Sequence, residues 1–403
     1  MLDMTSFDAA LKVRYTDEEV ERLTLSDHPL LALLMKKEIF TGKALPIPII
    51  YGNMSNRSAD FATANAGTSN TLIEDFILTQ AKDYAIAKID GQTIDNAADD
   101  TGAFMDAVST ELDSAYEAAS QSLSTALFRS GTGSIGIVGS VSSTTLTLAT
   151  PADSVHFEVG MKLVESAADG GTLGAGSSTG EVIESIDMDA GTMESTSAAW
   201  STVLTAIAAT HYLYALGDHN AKVKGLAAWI PSAAPTSGDS FFQVDRSVNP
   251  TRLAGVRYNG ALEPIETALI NGAVRCAKYG GKTSHYIVSY EQFANLEHSL
   301  GAKRNYVDVK VSAEVGFSAM TIQGPKGVIK VIPDQDCQAN IAWGLDLRKM
   351  ALYSNKKAIR VLQRSGGLSV RASNADAEEI RVGGYFQFGI RAPGHNVRVA
   401  LAT

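Results

Sequence analysis

The segment 43–129 constrains the fold more than any other part of the chain, because it joins an extended arm to a long helix. Residues 44–51 are apolar, and two prolines fix an extended backbone there and remove hydrogen-bond donors. A polar tip, 52–70, follows. The returning chain contains two more apolar segments, 72–78 and 85–89. Since an isolated two-stranded ribbon is marginal in water, we predict that the arm, 43–90, lies across another subunit.

A long helix is predicted directly after the arm. Asp99, Asp100 and Thr101 offer an N-cap, and Arg129 with Gly131 marks the end. Apolar residues recur every three or four positions, at Phe104, Val108, Leu112, Tyr116, Ala119, Leu123 and Leu127. At about 1.5 Å per residue the helix reaches roughly 45 Å, long for one compact domain. It is either a long core helix or a spine shared by several subdomains, and its length favours the spine.

The composition changes at Thr132, where the chain becomes rich in Gly, Ser, Thr and Ala. Short alternating runs separated by turn residues are typical of a small β-barrel or sandwich. The runs that indicate strands are 144–148, 162–164, 181–186 and 211–214. Because a helix end precedes this segment and Gly217 with Asp218 closes it, we interpret it as an inserted domain.

The remainder, 219–403, mixes helices and strands and predicts an α+β fold without the alternation typical of a parallel sheet. Helices are expected over 263–279 and 291–300. Two hairpins are expected, one around Gly324–Gly327 and one around Ala392–Asn396 that closes the chain.

No motif for catalysis stands out, so we predict no enzyme activity, no cofactor and no metal site. Residues 131–136 match the glycine spacing of a dinucleotide fingerprint but lack the required preceding strand and following helix. The seven histidines are scattered without ligand spacing. Cys276 lies on a helical apolar face and is predicted to be a small buried hydrophobe; Cys337 has no partner spacing.

Length, hydropathy and charge limit the number of domains and the kinds of partner that the chain can have. At 403 residues and 45% hydrophobic side chains, the chain can build two or three domains. No apolar run approaches the roughly 20 residues of a membrane span, and no secretory signal is expected. The charge is segregated: −10 over 1–131, −9 over 132–218 and +9 over 219–403. Attraction between parts of different subunits and neutralisation within one subunit both explain this pattern.

A basic run, from Arg348 and Lys349 through Lys356, Lys357 and Arg360 to Arg364 and Arg371, raises the question of nucleic-acid binding. It lacks interleaved aromatic residues for base stacking. Such a run supports only weak, salt-dependent contact with phosphates. Ion pairing between subunits is the preferred interpretation.

Taken in order, these parts resemble the major capsid proteins of tailed bacteriophages, whose fold is shared by herpesvirus capsid proteins and encapsulin shells. The segments that carry the resemblance are 30–37 with 47–52, 101–130, 224–231 and 381–394. The implied organisation is an N-terminal arm (1–42), an extended β-loop (43–90), a spine helix of the peripheral domain (91–131), an inserted small all-β domain (132–217), a mainly axial domain (218–345) and closing strands of the peripheral domain (346–403). Residues 300–318 match the loop near the capsomer centre.

The resemblance implies pentamers and hexamers that form an icosahedral shell around double-stranded DNA in a virion, from subunits made in the host cytoplasm. The implied partners are the chain itself, a separate scaffolding protein, a portal and a decoration protein, with weak non-specific contact to packaged DNA and no membrane. The inserted domain would decorate the outer surface. The residues expected at intersubunit contacts are Lys43, Tyr51, Arg57, Phe61, Lys303, Arg304, Arg348 and Lys349.

Two departures from the family pattern bear on this expectation. Some relatives link subunits covalently through a lysine on the extended loop, but no lysine lies between Ala44 and Ala81 here. About forty residues precede the loop, which leaves little room for a fused scaffold. Two other classes remain open: a cellular nanocompartment shell, which an enzyme cargo would reveal, and a multidomain surface adhesin, which the missing export signal disfavours.

Overall fold

The computed structural model describes residues 28–402 apart from 55, 68, 91–100, 198, 301–305, 312–314, 363–369 and 372–375. The α-helices of this described part, numbered along the chain, are α1 (Pro29–Leu33), α2 (Phe61–Ala66), α3 (Thr101–Phe128), α4 (Trp200–Val203), α5 (Leu226–Trp229), α6 (Pro250–Ala254), α7 (Ile265–Lys278) and α8 (Tyr290–Leu300). The predicted long helix is α3, and its predicted capping residues Asp99 and Asp100 lie outside the described residues.

The first sheet is organised around one 14-residue strand, β22. Its strands are β1 (Met35–Lys37), β4 (Ala81–Asp90), β19 (Met350–Ser354), β20 (Arg360–Val361), β21 (Val370–Arg371) and β22 (Ala377–Ile390). Helix α3 packs on this sheet, where Leu112, Tyr116 and Ala119 are buried with Ile380 and Val382. The next turns of α3 enter a second, larger core, so one helix serves two cores.

The second sheet is mixed. Its strands are β13 (Val256–Asn259), β14 (His285–Val288), β15 (Tyr306–Val311), β16 (Val315–Gly324), β17 (Gly327–Pro333), β18 (Ile341–Leu345) and β23 (Val397–Ala400), in the order β13-β23-β18-β14-β17-β16-β15. Two of its pairs, β13 with β23 and β14 with β17, are parallel and the others are antiparallel, so the sheet is mixed, as an α+β fold allows. Helices α7 and α8 cover one face, where Cys276 is buried as predicted.

The predicted closing hairpin is wrong. Strands form on both sides of residues 392–396, but β22 belongs to the first sheet and β23 to the second. A short 3₁₀ helix, Pro393–His395, reverses the chain between them. Asn396 fixes this crossing, since its Oδ1 accepts from Asp346 N at 2.8 Å and its Nδ2 donates to Ala392 O at 3.0 Å.

The arm is a two-stranded antiparallel hairpin of β2 (Ala44–Gly52) and β3 (Leu72–Thr79), joined by a tip that contains α2. It is shorter than predicted. Strand β4, which we expected to continue the arm, pairs with β22 along its whole length and belongs to the first sheet. A smaller ribbon, β11 (Ser240–Phe241) with β12 (Val244–Asp245), lies against the base of the arm.

Between α3 and α5 the chain forms a closed six-stranded barrel. Its strands are β5 (Ser134–Ser142), β6 (Thr145–Leu148), β7 (Lys162–Ser166), β8 (Glu181–Asp187), β9 (Thr192–Ser195) and β10 (Tyr212–Ala215). It has its own apolar core, which includes Leu146, Phe157 and Trp200. Entry and exit meet at a neck, where Asn220 N donates to Thr132 O at 2.7 Å. A side chain at Gly133, whose φ is +87°, would collide with the backbone of Asp218.

Candidate assembly interface

The base of the arm is fixed to its own subunit by aromatic packing. The ring of Phe76 lies 5.0 Å from that of Trp229, edge to face, and Trp229 lies 5.0 Å from Phe241 in the same way. Arg252 adds a tether, because its Nη1 donates to the carbonyl of Tyr51 at 2.6 Å. Edge-to-face pairs stabilise beyond the area they bury. The arm therefore leaves its subunit in a defined direction.

The outer face of the arm and its otherwise polar tip carry exposed apolar side chains. Ile50 and Ile73 are cross-strand partners, so their side chains point to the same side, and they are 65% and 56% exposed. The other large exposed apolar residues of the arm are Met54, Phe61 and Leu72. Since such a group of exposed apolar side chains marks an interaction surface, we take these five residues as the candidate interface and call them the arm patch.

At the tip of the arm, Phe61 belongs to a short helix with a capped N-terminus. Asp60 caps α2 by accepting hydrogen bonds from Thr63 N at 2.8 Å and Thr63 Oγ1 at 2.7 Å. These hydrogen bonds lower the pKa of the Asp60 carboxyl, which keeps the cap ionised. Phe61 is the first residue of this helix and is 84% exposed. A capped turn thus presents a bare aromatic ring at the end of the arm.

The predicted contact residues divide into three groups. Lys43, Arg57, Phe61, Arg348 and Lys349 are exposed, as a contact with another subunit requires. The side chain of Tyr51 is buried in the larger core that the last turns of α3 also enter, because β2 turns that face inward, so it offers little surface to a neighbour. Lys303 and Arg304 lie outside the described residues. The role of the exposed five as contacts stays a prediction.

Sequence reasoning missed several exposed apolar residues outside the arm. On β4, Tyr84 and Ile86 are 50% and 56% exposed, while Ala87 and Ile89 on the opposite face are buried. Apolar residues at both odd and even positions of a strand indicate two covered faces, and that signal was present in 84–89. Leu262, just before α7, is fully exposed, and no pattern in the sequence predicted its exposure.

A buried polar junction joins the N-terminal segment, α3, the barrel and the second sheet. Nδ1 of His28 lies 2.8 Å from Oδ2 of Asp336, and Thr125 Oγ1 donates to Oδ1 of the same carboxylate at 3.2 Å. Asp334 accepts from Leu30 N at 3.1 Å. His156, from the barrel, completes the group, with its Nδ1 3.2 Å from Thr125 Oγ1.

The two carboxyls of this junction differ in pKa. Burial, followed by the nearby negative charge of Asp336, raises the pKa of Asp334 to about 7. Burial acts to raise the pKa of Asp336 as well, but the hydrogen bond and charge of His28 outweigh it, and that pKa is lowered. Burial lowers the pKa of His156 to about 4. The junction therefore changes its charge between mildly acidic and neutral pH.

Ion pairs attach the barrel at its neck. Lys222 Nζ lies 3.0 Å from Asp83 Oδ1 and 3.1 Å from Asp218 Oδ2, and it donates to Ser122 Oγ at 2.7 Å. Burial acts to lower the pKa of Lys222, but the two carboxylates outweigh it and raise the pKa. Beyond this attachment the barrel surface is acidic. Its exposed carboxylates are Glu158, Asp169, Glu184, Asp187 and Asp189.

Within the described ranges, no cluster of three or more His, Cys, Asp or Glu residues is arranged to hold a metal ion. None of the helices described there is long and apolar enough to cross a membrane.

Comparison with known proteins finds one family model and several solved structures that are similar to this chain. A family model described as the SU10 major capsid protein matches residues 206–366. The fold is similar to the Cyanophage A-1(L) capsid asymmetric unit, with 14% identity and a TM-score of 0.53 over 93% of this chain and 92% of that one. Lower scores are found for Mycobacterium phage Patience (9% identity, TM-score 0.41, 96% and 86% covered) and the holo-SrpI encapsulin complex of Synechococcus elongatus PCC 7942 (8%, 0.43, 96% and 95%). No curated protein matches the sequence.

Proposed function

We propose that this chain, a capsid shell protein by its family match and its fold, assembles with copies of itself into the pentamers and hexamers of an icosahedral shell. The predicted resemblance to tailed-phage capsid proteins is confirmed by the match over 206–366 and by the fold of the cyanophage capsid. This family and fold belong to a structural protein, not to an enzyme.

The observation that carries the proposal is the contrast between the two ends of the arm. Its base is anchored by Phe76 and Trp229, while the arm patch is exposed. An apolar face of the hairpin that stays in contact with water raises the free energy, and covering it with another surface lowers the free energy. A neighbouring copy of the chain supplies that surface in a shell, where every arm can be covered in the same way.

The shell that we propose encloses double-stranded DNA and is built from subunits made in the host cytoplasm. A scaffolding protein, a portal and a decoration protein are its further partners. The exposed carboxylates of the barrel support an outer position for that domain, because they would repel DNA inside the shell. Arg348 and Lys349 are exposed and suit ion pairs with a neighbour, as well as weak contact with phosphates.

A nanocompartment shell shares this fold, but the match to a phage capsid family favours the viral function. No feature of the described residues supports a surface adhesin.

The decisive experiment removes the arm tip. Replacing residues 53–70 by a short Gly-Ser turn should leave the thermal midpoint of the subunit nearly unchanged, because the described side chains of this tip lie outside the buried cores. Assembly, followed by light scattering and negative-stain microscopy, should fail or require much higher concentration. Val248→Ser removes a large exposed apolar side chain elsewhere and is the matched control. A full-length protein that stays monomeric at high concentration, with and without a scaffold, would overturn the proposal.

A further inference from the structure

A cavity of about 120 Å³ lies between α3 and the barrel. Ala126 contributes to the wall on the α3 side, and Ile135 and Met161 contribute on the barrel side. Ala118 and Glu158 also line it and are both exposed, so they mark its open side. An apolar cavity of roughly 150 Å³ can hold benzene. This cavity is therefore close to the size of one aromatic ring.

Two cations make the cavity better suited to an aromatic ring than to an aliphatic chain. Arg129 and Lys222 both line it. The Arg129 guanidinium holds Asp153 Oδ1 through Nη2 at 2.7 Å, yet its buried Nε has no hydrogen-bond partner among the described residues. A ring placed against the guanidinium would offer its negative face to that group. An aliphatic side chain would leave the Nε–H unsatisfied.

The chain carries a suitable ring at the end of its arm. Phe61 is 84% exposed and does not fill the cavity of its own chain, and it is the aromatic member of the arm patch. Asp60 holds its helix turn in place. Arg57 is exposed on the same tip, and its charge is complementary to that of Glu158 at the open side of the cavity.

We infer that the ring of Phe61 inserts into the cavity between the spine helix and the barrel of a neighbouring copy. This inference rests on the proposed function, in which the arm lies across a neighbour. It identifies the site on that neighbour which the tip of the arm contacts. One aromatic side chain then contacts both the spine helix and the inserted barrel of the next subunit.

Cysteine cross-linking tests this contact directly in the full-length chain. The double variant Phe61→Cys with Ala118→Cys places one thiol at the tip and one beside the cavity. Both native cysteines, Cys276 and Cys337, are buried and free, so they give little background. In assembled, oxidised particles the pair should give at least tenfold more interchain disulfide on a non-reducing denaturing gel than Phe61→Cys with Val248→Cys. Equal yields from the two pairs would overturn the inference.

A second measurement does not depend on disulfide geometry. Phe61→Ala should raise the threshold concentration for assembly by about tenfold or more, because a buried Phe side chain is lost. Phe61→Leu should recover only part of this loss, since it lacks a ring. Ala118→Trp blocks the cavity and should act like Phe61→Ala, and the double variant should be no worse than either. Additive effects would overturn the inference, whereas failure of the wild-type chain to assemble would overturn the proposed function.

Discussion

At the residue scale, the most consequential groups are two carboxyls that lie two positions apart in a buried loop. Asp336 is held ionised by His28, whereas Asp334 shares the same buried space without a cation of its own. Removing two negative charges from water into one buried space is costly. Asp334 therefore keeps its proton to about pH 7, and the free energy of unfolding depends on pH through this group.

We predict that Asp334→Asn removes a loss of stability that develops in the wild type as the pH rises from about 4 to about 7. The folded pKa of about 7 lies above the unfolded value of about 3.8, so the contribution of Asp334 is complete below the unfolded pKa and is lost as the pH rises through the folded one. The variant carries no ionisable group here, so its stability should not fall over this pH range as that of the wild type does, although it loses one of the two hydrogen bonds that Asp334 accepts from Leu30 N and Asp336 N. Thermal midpoints of the subunit across that range measure this. Asp189→Asn, an exposed acid, is the control and should leave the pH dependence unchanged.

The sequence predicts individual burial well where local periodicity decides it. Leu112, Tyr116 and Leu123 are buried along α3 as their spacing indicated. It could not predict the junction of His28, Thr125 and Asp336, because these residues meet only when segments some 200 to 300 positions apart pack together. No local pattern separates a buried, paired Asp from a solvated one.

At the element scale, the arm strand β3 contains two apolar residues with opposite surroundings. Phe76 points into the larger of the two cores that α3 enters, and Ile73 points outward. A strand alternates its side chains between faces, so a single strand can both anchor the arm and present it to a partner.

We predict that substitutions on the two faces separate folding from assembly. Phe76→Ala should lower the free energy of unfolding by about 3–5 kcal/mol, because it leaves a cavity against Trp229. Ile73→Ser should change it by less than about 0.5 kcal/mol but weaken assembly. Denaturant unfolding and light scattering on the same samples give the two values. An Ile73→Ser variant that unfolds as readily as Phe76→Ala would contradict the assignment of faces.

The positions of strands along the chain were easier to predict than the strands with which they pair. The strands on either side of residues 392–396 were expected, but β22 and β23 join different sheets. A turn signal shows that the chain reverses, and it contains no information about which distant strand completes the ladder. The same limit applies to β4, whose apolar pattern was read as part of the arm although its partner, β22, lies some 300 residues further along.

At the scale of the whole molecule, the barrel has its own core and is attached both at its neck and by contacts with α3, among them the Arg129–Asp153 ion pair and the hydrogen bond between Thr125 and His156. Inserted domains are tolerated where the two ends of the insertion lie close together. The closed barrel and the hydrogen bond at its neck support the prediction that 132–217 is an inserted domain.

We predict that the barrel is dispensable for folding and for shell closure. Replacing residues 134–216 by a short Gly-Ser linker should give a subunit with a cooperative thermal transition, since the neck brings the two ends together. Its midpoint should be lower than that of the wild type, because Arg129 loses Asp153 and Thr125 loses His156. Its shells should close at a higher threshold concentration, because one wall of the cavity is lost. Microscopy and light scattering measure this, and the excised barrel should melt cooperatively on its own. An unfolded linker variant would mean that the barrel is integral to the core.

We also predict that the particles are held together without covalent bonds between subunits. The arm between Ala44 and Ala81 has no lysine, and both cysteines are buried. Boiled and reduced particles should migrate on a denaturing gel as one band near 42.6 kDa. A ladder of heavier bands would show that a linkage through other residues exists.

The neck also has a consequence for the gene. Because Thr132 and Asn220 are joined by a hydrogen bond, the chain ends on either side of the barrel lie together, and another domain can be encoded between them. Recombination at both ends of this segment would exchange the inserted domain while leaving the arm and the spine helix unchanged. A foreign protein whose two termini lie close together can be inserted at the same position, so that each subunit of the shell displays one copy.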